Sequence, residues 1–191
     1  MTVHRRSFAL GALALLLLAL LIALIVILTG GYNVAASERH NPIVGWALDT
    51  TFVNSVQRHG GEIGAPELTL AMVDAGASPY KAMCQHCHGG VGASRAEWAQ
   101  GMRPIPPALA NAAEQWSAPE VFWLVKHGVK MTGMPAFGAT HDDQTIWNIA
   151  AFVQAMPEIS EAQYAAYSSD HGSGGGAEGH RHAIGTAPHG G

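Results

Sequence analysis

Cys84-Gln85-His86-Cys87-His88 holds both cysteines of the chain, and its reading decides what the surrounding residues are for. Two thiols two residues apart, followed at once by an imidazole, offer several chemistries. An exported chain can join them as a disulfide. A structural zinc site takes four nitrogen or sulfur ligands, commonly from paired clusters, and there is no second cysteine pair here. A thioredoxin-type dithiol belongs in a βαβ setting, which the helical patterns around this motif do not supply. The remaining chemistry fits every residue. Each thiol bonds one vinyl-derived arm of a haem, His88 lies under the macrocycle within reach of iron, and C-x-x-C-H is the attachment pattern of c-type haem. His86 is expected at the surface.

Working outward, residues 75–160 read as a compact α-helical domain with long irregular connections. One helix, opening at Ser78-Pro79, is expected to lead into Cys84. A second opens at Ser117 with Glu120 three residues on, a capping box, and carries Val121, Leu124 and Val125 to a stop at Gly128. A third runs from Thr140–Asp143 to Met156 and is stopped by Pro157; its Ile146, Trp147, Ile149, Ala150, Phe152 and Val153 make a broad apolar face. Between the first two, Arg103-Pro104-Ile105-Pro106-Pro107 excludes regular structure. So short a domain makes a marginal core unaided, and a large flat apolar cofactor would supply the missing interior.

From Gly76 to Met156 the sequence resembles the class I cytochromes c. Gly76, Tyr80 and the motif at 84–88 match that family's haem helix. Pro107-Ala108-Leu109 matches its Pro-x-Leu loop, and Lys126 through Pro135 is similar to its methionine loop. The resemblance implies one covalently attached haem c, held at Cys84 and Cys87, with His88 and Met134 as axial ligands of the iron. It also implies that His88 gives its other ring N–H to the Pro107 carbonyl. A thioether is a soft, neutral ligand that favours Fe(II), and the Gly133/Pro135 setting suits a loop on the face opposite His88. Met131 and His127 stand as alternative ligands, and Met72, Met83, Met102 and Met156 read as packing residues. Pro79, so near the start of the haem helix, departs from a smooth helical pattern.

On the N-terminal side, Phe8 to Leu28 contains no charge and no polar stripe. At ~1.5 Å per residue it crosses a hydrocarbon core of ~30 Å. Arg5 and Arg6 precede it and no Lys or Arg follows until Arg39, so residues 1–30 read as a cytoplasmic N-terminus and transmembrane anchor, with the rest exported. The run exceeds the apolar core of a usual signal peptide, although Val34-Ala35-Ala36 resembles a cleavage site. Residues 31–74 form a short helical extension: Asn41-Pro42 opens a helix that ends at Gly60-Gly61, and a second runs from Pro66 to Asp74. Both are expected to pack against the next domain.

Residues 161–191 read as a flexible Gly/His-rich tail, poor in apolar residues beyond Ser168. The fold class is therefore all-α: a cytochrome c-like helical haem domain behind one transmembrane helix and a short helical extension. A net charge of −4 argues against nucleic-acid binding. Lys81, Lys126 and Lys130 flank the ligand motifs, which suggests a positive haem edge facing redox partners with an acidic docking face. With no second haem motif and no nucleotide fingerprint, the expected role is electron transfer without a small-molecule substrate. The chain would be no enzyme of its own, and would act on the periplasmic side of the cytoplasmic (inner) membrane. It would serve as a tethered carrier or as the cytochrome subunit of a respiratory oxidoreductase. The alternatives are a haem enzyme or gas sensor, which needs an open iron, and copper handling through His171, His180, His182 and His189.

Overall fold

Every regular element among the described residues is helical. The computed structural model describes residues 4–112 and 114–168. The chain divides into two units, Met1–Ser55 with Glu97–Pro106, and Val56–Ala96 with Pro107–Gly191.

In the first unit, α1 spans Arg5–Thr29 and buries no residue. By length and composition it is able to cross a membrane. Gly30, at φ 66°, closes it with an N–H bond to the Val26 carbonyl. The Asn41 side chain then accepts the Ile43 N–H at 3.0 Å, and α2 follows over Pro42–Gly60, the Asn-Pro start read from sequence. Its residues up to Ser55 lie in the first unit, where Ile43 and Trp46 are 74% and 69% exposed; from Val56, which is fully buried, the last turn belongs to the second unit.

The second unit carries the core. Helix α3, Leu70–Pro79, starts at Thr69, whose side chain accepts the Met72 N–H at 3.3 Å. The two separate helices expected over 66–74 and from Ser78 are one run. Pro79 lies inside it, a π-helical turn follows over Tyr80–Cys84, and α4 continues over Gln85–His88. Proline has no N–H and crowds the carbonyl four residues back. The chain answers by widening its turn, with the Gln85 N–H bonded to the Tyr80 carbonyl, so the helix bulges where it was expected to begin.

A short helix α5, Leu109–Ala112, precedes α6, Ala118–His127, and α7, Asp143–Ala155. The α6 capping box is present: the Ser117 N–H donates to Glu120 Oε2 at 2.7 Å. Asp142 caps α7 by accepting the Thr145 N–H at 2.7 Å. The core is built from Ala77 and Tyr80, from Val121, Phe122 and Val125 of α6, and from Ile146, Ile149, Phe152 and Val153 of α7. Phe122 stacks on Trp147 at 4.2 Å and Tyr80 meets Phe152 at 5.3 Å. The last turn of α2 joins this unit by laying His59 on Trp123 of α6 at 5.4 Å.

Residues 161–166, expected to open the flexible tail, are a helix, α8. Ser160 and Gln163 form its capping box, with the Ser160 N–H on Gln163 Oε1 at 2.9 Å. Tyr164 is 2% exposed within the core. Its ring lies so close to Gly90 that a side chain there would overlap it. Residues 169–191, with all four histidines assigned to copper handling, lie outside the described residues.

The tightest joint is between α3 and α7. A Cβ at Gly76 would overlap the Asn148 carbonyl, 2.5 Å from its carbon and 3.0 Å from Ile149 N. Backbone cannot yield there as a side-chain tip can. Gly76→Val should therefore destabilise the protein by about 3 kcal/mol, read from thermal or urea unfolding. Gly64→Ala, where nothing lies within 4 Å, should stay within about 0.5 kcal/mol.

Candidate haem site

The motif segment leaves the π turn at Cys84, so the wide turn sets which way each cysteine faces. Cys84 is 8% exposed and belongs to the core cluster with Tyr80 and Phe152. Cys87, on α4, is half-buried, and both are free thiols. Burial, with Cys87 adding to it, pushes the Cys84 thiol up to about 12. Among the described residues, no group of three or more His, Cys, Asp or Glu side chains is placed to hold a metal ion.

His88 is held from one side. Its Nδ1 lies 2.8 Å from the Pro107 carbonyl oxygen. A carbonyl only accepts, so Nδ1 carries the proton and Nε2 keeps a free lone pair. Burial holds the imidazole below its usual pKa; the Pro107 bond acts in the opposite sense and the nearby Arg95 charge adds to the lowering. A neutral ring with a fixed tautomer is the form that ligates metal. The bond to Pro107 is the one that the family resemblance implied.

Met134 reaches the same core from a separate loop. Helix α6 ends as Gly128, at φ 63°, bonds its N–H to the Leu124 carbonyl. A Cβ at 128 would sit 2.6 Å from the Pro135 carbonyl carbon and 2.7 Å from the Met134 oxygen, so glycine is required on both conformational and steric grounds. The loop folds on itself: Val129 N–H to the Met134 carbonyl at 3.2 Å, and Met134 N–H to Thr132 Oγ1 at 3.1 Å. Met134 packs partly buried against the core. Met131, the competing thioether, has φ 60° and is 98% exposed. His127, the other alternative, is exposed and rests against Trp123 at 5.3 Å.

Several contacts around the motif were not read from the sequence. Tyr80, fully buried, donates its hydroxyl to the Gly89 carbonyl at 2.8 Å; burial, with Cys84 beside it, drives its pKa far above the ordinary phenol value. Gln85 accepts the Tyr164 hydroxyl at 2.8 Å. Lys81 donates to the carbonyls of Tyr164, at 3.1 Å, and of Tyr167. The signal that could have found α8 is Ser160-x-x-Gln163, a capping box, which the Gly-rich composition further on obscured.

These contacts also revise the charge picture. Lys81 caps the end of α8, and Lys126 forms an ion pair with Asp143 at 2.7 Å. Two of the three lysines expected to make a positive rim are thus engaged within the fold, and Lys130 is left exposed.

Residues 71–153 match the family model described as cytochrome C oxidase, cbb3-type, subunit III. No curated protein and no solved structure matches the chain. The match spans α3, the motif, the methionine loop and nearly all of α7, and it ends before α8. Residues 71–153 are therefore a class I c-type cytochrome domain, and a domain of that class implies haem c.

Proposed function

We propose that the chain is a membrane-anchored, single-haem cytochrome c that passes electrons one at a time on the periplasmic face of the cytoplasmic membrane. The observation that carries this reading is the His88 Nδ1–H bond to Pro107, which prepares Nε2 beside two cysteines with no disulfide between them. Cys84 and Cys87 would hold the haem by thioethers, and His88 and Met134 would ligate its iron. When bound, haem c supplies the Fe(II)/Fe(III) couple. The chain's own residues then do three things. Pro107 keeps the imidazole in one tautomer, the Gly128 and Thr132 bonds hold the methionine loop, and the α6–α7 core excludes water.

Six-coordinate iron changes its ligand bonds little between oxidation states, so electron transfer needs small reorganisation, whereas an open iron invites oxygen chemistry. Exposure of Met131 and inward packing of Met134 favour the closed, carrier reading over a haem enzyme or sensor. The matched family's description as an oxidase subunit supports service within a larger oxidoreductase; a tethered carrier remains the second arrangement. Partners are redox proteins that meet the haem edge, with Lys130 the exposed cation offered to an acidic docking face.

Haem should survive acid-acetone treatment of denatured protein, and the double variant Cys84→Ser, Cys87→Ser should lose it. Free extraction from the wild type would refute thioether attachment. Met134→Ala should abolish the weak far-red thioether-to-iron band, admit CO to the reduced protein and lower the potential, whereas Met131→Ala should change none of these. Wild-type protein that binds CO readily would point to the enzyme or sensor reading. For topology, a reporter fused after Gly191 should be active only outside the cytoplasm, with the protein staying on membranes in high salt. A soluble product beginning near Ser37 would show cleavage of α1 instead.

A further inference from the structure

Helix α2 carries apolar residues on two sides. Val44, Gly45 and Phe52 are half-buried and form its inner side. Ile43, Trp46, Thr50 and Val53 recur at i, i+3, i+7 and i+10, which lines them along another side of the same helix, and each is exposed. A tryptophan and two branched aliphatic side chains in one uncovered stripe point to an apolar surface outside the chain.

The segment between α1 and α2 shows which surface is at hand. Extended, residues 31–41 would reach ~35 Å; they are instead closed on themselves. Gly30 and Gly31 both return their N–H to the Val26 carbonyl, which ties down the end of α1. Tyr32, which follows at once, stacks on His40 at 6.1 Å with 18° between the ring planes. The Tyr32 hydroxyl also lies 2.7 Å from His40 Nδ1, and Asn41, the next residue, caps α2. One contact therefore holds the start of α2 at the end of α1. Where α1 spans a bilayer, that place is the bilayer surface, and Trp46 lies only ~6 Å along α2 from its first residue. Tyr32 and Val34 are exposed as well, so apolar side chains are uncovered on both sides of the joint.

The charges suit a surface entered by apolar contact. From His40 to Gln57 the one formal charge is Asp49, exposed at the margin of the stripe, and Glu38 and Arg39 offset each other. No cluster of cations is there to seek anionic headgroups. Tryptophan favours the boundary itself, with its ring among acyl chains and its N–H among headgroups.

We propose that the first half of α2 lies in the headgroup–acyl boundary of the bilayer, with Ile43, Trp46 and Val53 turned to lipid, as a second membrane contact beside α1. The assignment rests on the membrane-anchored reading above and extends it to a helix outside the family match. A lone spanning helix is an attachment that swivels; the second contact fixes α2 in the plane of the membrane.

The test uses the full-length haem-loaded protein in phosphatidylcholine vesicles that contain a phospholipid with a diazirine on one acyl chain. After illumination, tryptic fragments are searched for lipid adducts by mass spectrometry. Fragment 7–39 carries α1 and serves as the internal standard; fragment 40–58 carries α2. Both should be labelled, and high salt should leave their ratio unchanged. The double variant Ile43→Gln, Trp46→Gln keeps good helix formers at exposed positions. It should keep the wild-type haem spectrum and lower labelling of 40–58 relative to 7–39 by about tenfold, since burying either apolar side chain is worth about that factor or more.

Adducts on 7–39 with none on 40–58 overturn this assignment alone, and show that a protein, a second copy or another subunit, takes the stripe. Labelling of 40–58 that vanishes in high salt overturns it as an effect of charge, and equal labelling in the double variant overturns it as mere proximity. If that variant does not accumulate, the wild-type pattern decides by itself. Absence of adducts from both fragments removes the membrane anchor and this assignment together.

Discussion

The backbone of α3 lies directly on the backbone of α7, because Gly76 puts no atom between them and the Asn148 carbonyl. Much of the second unit is arranged around that contact. It sets the height at which Ala77 and Tyr80 enter the core and the depth at which Ile149, Phe152 and Val153 meet them. It also sets where the π turn, one step further along the same run, delivers Cys84. The proposed site, two cysteines and one imidazole against a flat rigid group, would not tolerate a sliding helix pair. The crossing fixes one helix against the other through main chain rather than through side chains able to choose new rotamers.

Features encoded locally were legible in the sequence. Ser117 and Glu120, Gly128 and Pro157 each act within one turn of their own position and each marks a helix end as read, and α7 opens at Asp142–Asp143, inside the range read for its start. The Cys84–His88 motif is likewise a local arrangement, and the family match agrees with what it implied. Less legible was any outcome of competition between a local rule and its surroundings. Pro79 is a sound reason to begin a helix, yet α3 was already committed by Thr69, and the conflict resolved into a π turn. Trp46 and Ile43 have core-like chemistry, but whether a neighbour covers them depends on packing far away in sequence.

The methionine loop shows how two near-identical candidates separate. Met131 and Met134 differ by three residues and share a glycine-rich setting. The Val129–Met134 backbone bond turns the latter inward, while Met131 takes a positive φ and points away. Spacing alone carries none of that information, because a closed loop of this size sends adjacent side chains to opposite sides.

Helix α8 begins after the family match has ended, yet it supplies the acceptors for Lys81, the hydroxyl for Gln85 and, through Tyr167, a partner for Asp74 at 3.1 Å. The evolutionary module and the physical module are therefore of different lengths. A fragment trimmed to the recognisable cytochrome domain would leave a half-buried ammonium without its carbonyls and open the flank of the very segment that bears the thiols. During synthesis the same dependence acts in time: the cysteines emerge well before the helix that covers them, so the motif stays more accessible until residues 161–167 have followed. The length of that interval is set by a stretch of chain that carries none of the motif's residues.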